Sequence, residues 1–574
     1  MKTQEIVLDS LINKVKNLIQ NNKVDEVISL CKKTIDSDTN SHWIYYYLGQ
    51  AFTRKNQLDQ AVNSYQNAIR LNPEFCWSHH GLAITLFKQG KLEEAVSSSS
   101  QAIQLKSDVA VFHEQLGKAL VSKGEVNLAI DTYKAAIEIN SKLLSAYEAL
   151  GEIFLKLSHL DEALNYYRKA IEIYPQSSEL HETAGNILLK KGRIEEAASA
   201  YLKATQLNPN STWSNYNLGY CLKKQGKLDD AVKCDVQALQ ADPGFAPAYQ
   251  RLMSTKLKPE QLDNVVEALK SHIRQKPKAS WLYSRLGDLL SKQGKIDSAI
   301  EEYKSATYKL NVWLKSEYTA QYWDSGEVKG PDFLIIGAMK AGTTSLYEYI
   351  SQHPQVLPSN QKEIHFFVHH FEKGLDWYLS HFPPITKEKK IITGEASPGY
   401  FCNSIQEKVK STFPNVKLIA ILRNPVDRAV SHYHHNVKYG IEMRSFEEAI
   451  NAEIRVIENI SDVSDLGETS NWCNEQGYLL TGLYVYFLKK WMSVFPREQF
   501  LIVRSEDMYE KPVLSMNKVF DFLTLPEYKL KDCKAYLKGS YSALDKSWRK
   551  TLLEIFRSHN EKLEDYLNKK FNWL

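Results

Sequence analysis

The chain has 574 residues, of which 43% are hydrophobic and 24% charged, proportions that exclude a wholly disordered protein. Its net charge of +4 gives no reason to expect nucleic acid as a partner, and its length calls for at least two folding units. The sequence has no apolar run near the roughly 20 residues that span a bilayer, no export signal at its start and no CxxC pair among its cysteines. We therefore expect a cytoplasmic protein without a transmembrane segment.

The first half of the chain is an internal repeat with a period of 34 residues. Leucine-glycine, alanine, tyrosine, alanine and proline recur in one phase, for example at residues 48–73 and again at residues 150–175. Glycine and alanine let two antiparallel helices approach closely, the tyrosine fills the wedge between them, and proline ends the second helix. This spacing predicts an α-solenoid in which the aromatic and alanine positions serve packing.

The pattern resembles the tetratricopeptide-repeat (TPR) family, and about nine units fit within residues 1–313. The first and eighth units are degenerate or capping: Val27 and Cys31 replace alanine and tyrosine in the first, and glycine is missing near Met253 in the eighth. The resemblance implies a TPR superhelix with a concave groove, which would bind a protein partner or the acceptor of a reaction.

The helical repeat ends after Leu310, and the breakers Gly326 and Gly330 predict a linker over residues 314–330. Beyond it, short apolar runs alternate with helical patterns, beginning with "FLIIG", "IITGEA", "KLIAIL" and "FLIVR". Strands separated by helices pair in parallel, and the helices cover the sheet. We predict an α/β domain with a parallel sheet over residues 331–574.

A loop suited to anions follows the first of these strands. Gly342 allows a close backbone approach, Lys340 supplies a positive charge, and hydroxyl residues open the next helix at positions 343–345. A Walker-type loop places its lysine after the last glycine, whereas Lys340 precedes Gly342, so a P-loop nucleotidase is disfavoured. A structural turn with an incidental lysine is the alternative explanation.

A second cation follows the strand "KLIAIL". Arg423 stands at its carboxyl end, with Asn424 as a possible N-cap and Pro425 at the first position of the next helix. Ligands of open α/β sheets lie beyond the carboxyl ends of the strands, so Arg423 and the helical Ser431 could hold a second phosphate. Two anion sites predict a ligand that carries two phosphates.

The segments "KAGTTS" at 340–345 and "RNPVDRAVS" at 423–431 resemble the sulfotransferase family that uses 3′-phosphoadenosine 5′-phosphosulfate (PAPS). The resemblance covers residue 331 to the C-terminus and includes "KEIHFF" and "GEASPGYF", as in carbohydrate and heparan-type members. It implies a P-loop-like loop for the 5′-phosphosulfate, a site for the 3′-phosphate, and a segment that closes over the nucleotide. The implied residues are, in that order, Lys340, Ala341, Gly342, Thr343, Thr344 and Ser345; Arg423 and Ser431; Lys538 and Gly539.

The same resemblance implies the residues of the reaction. Glu363 would be the general base, His365 its neighbour in the site, and Lys340 the cation at the departing phosphate oxygen. Sulfuryl transfer needs alignment and charge neutralisation, so no metal is expected. A solvated loop carboxylate is the alternative explanation for Glu363.

The sequence also departs from the heparan-type pattern. Ala396 occupies the position of a lysine on the acceptor side, and Cys533 has no nearby partner where many relatives carry a cysteine pair. The acceptor therefore stays open between a saccharide hydroxyl or amine and a peptide tyrosine. The alternative function is a TPR adaptor whose sulfotransferase-like domain binds nucleotide without turnover.

Overall fold

The computed structural model describes residues 2–36, 41–438, 442, 444–457, 460, 477–533 and 544–573. Its contacts divide the chain into two compact units, Met1–Thr255 and Lys256–Leu574. Each unit is described by itself.

The first unit is a stack of helices in which each helix packs against the next one along the chain. Their bounds are α1 Lys2–Gln20, α2 Val24–Asp36, α3 His42–Arg54, α4 Leu58–Leu71, α5 Cys76–Lys88, α6 Leu92–Leu105, α7 Ala110–Lys123, α8 Val126–Ile139, α9 Leu144–Lys156, α10 Leu160–Ile173, α11 Ser178–Lys190, α12 Ile194–Leu207, α13 Thr212–Lys224, α14 Leu228–Ala241 and α15 Ala246–Ser254. The predicted α-solenoid is confirmed.

Within a repeat, the two helices pack through a contact between a glycine on the first helix and a tyrosine on the second. A methyl group at Gly151 would come within 2.5 Å of the Tyr167 ring, and one at Gly185 within 2.8 Å of the Tyr201 ring. Both tyrosines are buried. The absence of a side chain on the first helix therefore sets how closely the two helices of a pair approach.

One repeat replaces its tyrosine with a buried ion pair. Asp235 stands 34 residues after Tyr201, and its Oδ2 accepts a hydrogen bond of 2.7 Å from Nε of Arg251. Nη2 of Arg251 donates to the Tyr216 carbonyl at 2.6 Å and would lie 2.7 Å from a methyl group at Gly219. The guanidinium thus fills the space that the tyrosine ring fills elsewhere. Burial raises the pKa of the Asp235 carboxyl to about 6, against the opposing effect of Arg251.

The second unit begins with three long helices and continues into a sheet covered by helices. The helices are α16 Pro259–Gln275, α17 Ser280–Lys292, α18 Ile296–Leu314, α19 Ser316–Tyr322, α20 Thr343–Ser351, α21 Leu375–Leu379, α22 Gln406–Thr412, α23 Pro425–Lys438, α24 Phe446–Ile457, α25 Tyr484–Met492, α26 Ser505–Glu510, α27 Pro512–Phe522 and α28 Lys546–Leu567. Within the predicted linker, α19 is helical. The predicted domain boundaries stay a prediction.

Within the described residues the sheet has five strands, all paired in parallel, in the order β2-β3-β1-β4-β5. They are β1 Phe333–Gly337, β2 Val356–Pro358, β3 Ile392–Ala396, β4 Lys417–Leu422 and β5 Phe500–Arg504. The strands are almost entirely buried, as expected for a parallel sheet between layers of helices. The predicted α/β fold is confirmed, with β2 as a short additional strand.

Two further features bear on the sequence expectations. None of the helices in the described ranges is long and apolar enough to cross a membrane. Cys402 is disulfide-bonded. A disulfide is unusual in a reducing compartment, and the cytoplasmic location stays a prediction.

Candidate active site

The candidate site lies where the order of the strands reverses. The chain runs from β1 to β2 and β3 on one side, and then to β4 and β5 on the other side of β1. Because β1 and β4 are parallel neighbours, the loops that follow them leave the same edge of the sheet side by side. This is the position at which open α/β sheets bind ligands.

The loop after β1 is held in an unusual backbone conformation. Lys340 has a φ of +65° and Gly342 a φ of +111°, and α20 begins at the next residue. The first N–H groups of a helix have no acceptor within the helix, so the start of α20 offers donors to an anion. Ser345 is buried, and its hydroxyl lies 3.2 Å from the hydroxyl of Tyr509.

Lys340 and Arg423 meet at this edge. Nη1 of Arg423 donates to the carbonyl oxygen of Lys340 at 3.2 Å. The Asn424 side chain accepts from the N–H of Val426 at 3.0 Å, which confirms it as the cap of α23, and Pro425 is the first residue of that helix. The two predicted cations therefore border one region.

His435 is a member of the site that the sequence analysis missed. The ammonium of Lys340 donates to its Nδ1 at 3.1 Å. Burial, with the charges of Lys340 and Lys438, lowers the pKa of His435 to about 4, so the ring is neutral at pH 7. His435 lies one helical turn beyond Ser431, and that spacing of four residues could have placed both on one face of α23.

Glu363 and His365 are brought together, as predicted, and Lys362 joins them. Nε2 of His365 lies 3.3 Å from the Glu363 carboxylate, and the Lys362 ammonium is paired with the same carboxylate. Lys362 also donates to the Thr344 hydroxyl at 2.7 Å. One ammonium group thus connects the predicted base to the predicted phosphosulfate loop.

These contacts set the charge of the site. For Glu363, burial opposes ionisation, but the hydrogen bond to His365 and the charge of Lys362 outweigh it and lower the pKa to about 2. Burial lowers the pKa of Lys340; Glu363 opposes this effect, and Lys362 and Arg423 add to it. At neutral pH the site holds an ionised carboxylate among several cations.

A buried carboxylate supports the loop that carries these groups. Oε2 of Glu395 accepts from the N–H of Ile364 at 3.2 Å, and the Ser397 hydroxyl accepts from the N–H of His365 at 3.0 Å. Tyr378 and Tyr400 donate to the other oxygen of Glu395 at 2.7 and 2.9 Å. Burial raises the pKa of Glu395. Hydrogen bonds to Glu395 and Ser397 therefore fix the backbone at residues 364–365.

The remaining predicted residues have simpler positions. Ala341 and Thr343 are buried beside Gly342, and Ala396 is buried at the end of β3, where its N–H donates to the Lys362 carbonyl at 2.9 Å. The predicted nucleotide-closing residues, Lys538 and Gly539, lie outside the described residues. Across the described ranges there is no group of three or more histidine, cysteine, aspartate or glutamate residues that could hold a metal ion. The predicted roles of the site residues stay predictions.

Comparison with protein families gives two kinds of match. The profile described as "Sulfotransferase domain" matches residues 330–563. Profiles described as "TPR repeat" or "Tetratricopeptide repeat" match residues 49–90, 117–158, 145–177, 185–226, 214–245 and 282–308. The TPR matches thus precede the sulfotransferase match along the chain.

Individual relatives match the second region. The membrane-associated sulfotransferase kil1 of Dictyostelium discoideum is 27% identical over 312 residues, covering 42% of this chain and 66% of that protein. The human bifunctional heparan sulfate N-deacetylase/N-sulfotransferase 2 is 29% identical over 271 residues, covering 42% of this chain and 30% of that protein. The chain thus spans less than two thirds of either relative.

Among solved structures, a sulfotransferase from Alicyclobacillus acidocaldarius is 26% identical with a TM-score of 0.34, covering 42% of this chain and 98% of that one. The TPR protein YrrB is 23% identical with a TM-score of 0.30, covering 33% of this chain and 98% of that one. The chain thus carries tetratricopeptide repeats, followed at its C-terminus by a region that matches the sulfotransferase domain.

Proposed function

We propose that the protein transfers a sulfuryl group from PAPS to a hydroxyl or amine of an acceptor, and that this acceptor is a saccharide. The observation that carries the proposal is the meeting of Lys340, Arg423 and the Glu363 cluster at one edge of the sheet. These groups supply cations for two phosphates and a carboxylate for one proton, the requirements of sulfuryl transfer from a nucleotide.

The donor side of the proposal uses residues from β1, β4 and the helices after them. The start of α20 and the ammonium of Lys340 would hold the 5′-phosphosulfate, while Arg423 and Ser431 would hold the 3′-phosphate. This assignment fits the chemistry of the groups present, because all of them can donate hydrogen bonds and two carry positive charge.

The acceptor side of the proposal uses Glu363. As the acceptor oxygen or nitrogen bonds to sulfur, the bond between sulfur and the 5′-phosphate oxygen breaks, and that oxygen keeps the electron pair. Glu363 takes the acceptor proton, and Lys340 neutralises the departing phosphate. The products are the sulfated acceptor and adenosine 3′,5′-bisphosphate.

The low pKa of Glu363, which results from its hydrogen bond to His365 and its pairing with Lys362, makes it a weak base. Lys362 already contacts Thr344 in the phosphosulfate loop, so an anionic donor there would draw its ammonium away from the carboxylate. Weaker pairing removes one of the two interactions that lower the pKa of Glu363, so the pKa rises while the hydrogen bond to His365 remains. In this proposal the carboxylate becomes an effective base only once the donor is bound.

The proposal of a saccharide acceptor is based on proteins similar to this chain. A saccharide acceptor is supported by the heparan sulfate named for the human relative, while a peptide tyrosine is the competing acceptor. We propose that the TPR groove binds the acceptor or a partner protein, since stacked repeats offer extended concave surfaces. A cytoplasmic location is part of the proposal, and the disulfide at Cys402 is the observation that weighs against it.

A second candidate function has its own support. Ala396 stands where heparan-type enzymes commonly carry a lysine, and Glu363 has a low pKa. An adaptor that binds nucleotide without turnover would tolerate both features. It differs from the enzyme in a measurable way, because it binds adenosine 3′,5′-bisphosphate and labels no acceptor.

The test combines labelled PAPS with a panel of saccharides, amines and tyrosine-containing peptides, and measures nucleotide binding by calorimetry. We expect Lys340→Ala and Arg423→Ala to weaken binding of adenosine 3′,5′-bisphosphate. Glu363→Gln should spare that binding and reduce transfer by about 10²- to 10⁴-fold. Full activity of Glu363→Gln would refute the assignment of the base, and binding without any transfer by the unaltered protein would favour the adaptor.

A further inference from the structure

The last helix of the repeat pattern differs from its predecessors. α18 has 19 residues, whereas α4, α6, α8, α10, α12 and α14 have 14 each. Asn311 occupies the repeat position at which proline follows the second helix in five other units, namely Pro73, Pro175, Pro209, Pro243 and Pro277. Asparagine retains the backbone N–H that proline lacks, which permits the helix to pass through this position. The residue alone does not set the length, because α6 and α8 end before a serine at the same position, Ser107 and Ser141.

The extended helix α18 is hydrogen-bonded to the end of β2, the strand that precedes the loop with Glu363. Asn311 is fully buried, and its side-chain amide donates to the Pro358 carbonyl at the end of β2 at 3.3 Å. One turn earlier, Thr307 is also buried and donates to the Ser380 carbonyl at 3.1 Å. Polar side chains are rare in such positions unless they are bonded, so the contact is built into the fold.

The second and third residues after β2, Asn360 and Gln361, bind α18 and the helix before it, α17. The amide of Asn360 donates to the Tyr303 carbonyl at 2.8 Å and to the Thr307 hydroxyl at 2.9 Å. The amide of Gln361 donates to Oδ1 of Asp288, in α17, at 2.9 Å. Tyr303 donates to that same oxygen at 2.7 Å. Asp288 therefore joins the core of the last repeat to the loop.

That loop carries the acceptor-side groups. Gln361 is two residues from Glu363, a separation of at most about 7 Å along the chain. On the other side of Glu363, Glu395 fixes the N–H of Ile364. The loop is thus anchored at both ends, and a displacement at Gln361 would move the carboxylate.

We propose that Asp288 is a positioning residue for the loop 359–365, so that the last repeat is part of the sulfotransferase machinery as well as of the repeat array. The inference rests on the proposed function for its kinetic consequence. Its structural part, that Asp288 holds the loop in place, stands without it.

The chain provides a matched control. Asn186 precedes Asp288 by three repeat periods, and its Oδ1 accepts from Tyr201 at 2.7 Å and from Asn217 at 3.3 Å. Each of the two residues therefore accepts a hydrogen bond from the tyrosine of its own repeat and another from a side-chain amide. Only for Asp288 does that amide belong to the loop.

The experiment compares Asp288→Ala with Asn186→Ala in the full-length protein, by hydrogen exchange at residues 359–366 and by sulfuryl transfer. We expect exchange in this segment to rise about tenfold in Asp288→Ala and to stay unchanged in Asn186→Ala. Transfer should fall about 10- to 100-fold in Asp288→Ala with the affinity for adenosine 3′,5′-bisphosphate kept, because only the acceptor-side group moves. Asp288→Asn, which keeps the acceptor oxygen, should restore both.

Two results would overturn the proposal: unchanged exchange at residues 359–366 in Asp288→Ala, or equal effects of Asp288→Ala and Asn186→Ala. If Asp288→Ala does not fold, Gln361→Ala removes the same hydrogen bond from the loop side and is judged by the same measurements. If the unaltered protein transfers no sulfate while the exchange result holds, the proposed function fails and the structural role of Asp288 remains.

Discussion

Replacing Gly342 by alanine tests whether the backbone of the phosphosulfate loop is responsible for nucleotide binding. Gly342 has a φ of +111°, and an added methyl group would lie 2.9 Å from the Tyr509 hydroxyl and 3.2 Å from Cε of Met508. A residue with a side chain in such a conformation costs about 1–3 kcal/mol. The contacts add to that cost, so we expect the loop to move away from the conformation seen here.

The magnitude follows from this strain. If the strained conformation is the one that binds, about 1–3 kcal/mol corresponds to a loss of about 5- to 150-fold in affinity for adenosine 3′,5′-bisphosphate. Calorimetric titration measures the affinity directly. Adding Tyr509→Phe removes the closest atom that the methyl group meets, so it should recover the part of the loss that comes from that contact.

Gly294→Ala is the control for the energetic cost of placing a side chain at a positive φ. Gly294 has a φ of +77°, and a methyl group there would meet no atom within 4 Å. It lies in the same compact unit, in the turn between α17 and α18, so we expect a loss of about 1–2 kcal/mol of stability and unchanged nucleotide affinity. Wild-type affinity in Gly342→Ala would refute the argument that this backbone conformation is needed for binding.

Three further predictions concern stability. Arg251→Ala leaves Asp235 buried without its ion-pair partner and should lower the free energy of unfolding, measured by urea denaturation, by about 3–5 kcal/mol. Adding Asp235→Tyr should recover part of that stability. A loss well under that range would contradict the ion-pair argument. A chain of residues 256–574 should unfold cooperatively in calorimetry, whereas residues 314–574 should not, because that cut removes the partners of Asn360 and Gln361. Burial lowers the pKa of His559 to about 4, so stability should fall by up to about 3 kcal/mol as pH drops from 6.5 toward 4, and His559→Gln should flatten that decline.

Much of the architecture could be predicted because it depends on local patterns. The 34-residue spacing of glycine and tyrosine identifies the solenoid, since each pair makes the same contact. Alternating apolar and amphipathic segments identify the parallel sheet. The rule that ligands lie beyond strand ends then placed Lys340 and Arg423 together, and the two do meet.

The parts that were missed depend on contacts between distant segments. β2 has only three residues, too few for a periodic signal. The carboxylate of Glu395 is recognisable as a support only through its bonds to the backbone of the Glu363 loop. Asp288 looks like an ordinary helix residue until Gln361, 73 residues later, is seen to bind it. His435 was missed because its role depends on a contact with Lys340, 95 residues earlier in the chain.

The replacement of proline by Asn311 bears on how such a protein can change over evolution. Upstream units are similar to one another, so whole copies of 34 residues can be duplicated or deleted with little effect on the contacts between neighbours. The ninth unit differs from them because its buried amide, at Asn311, binds the end of β2, and the described residues of the other units show no such bond. Array length can therefore vary between related proteins while the final member is inherited together with the enzyme-like domain.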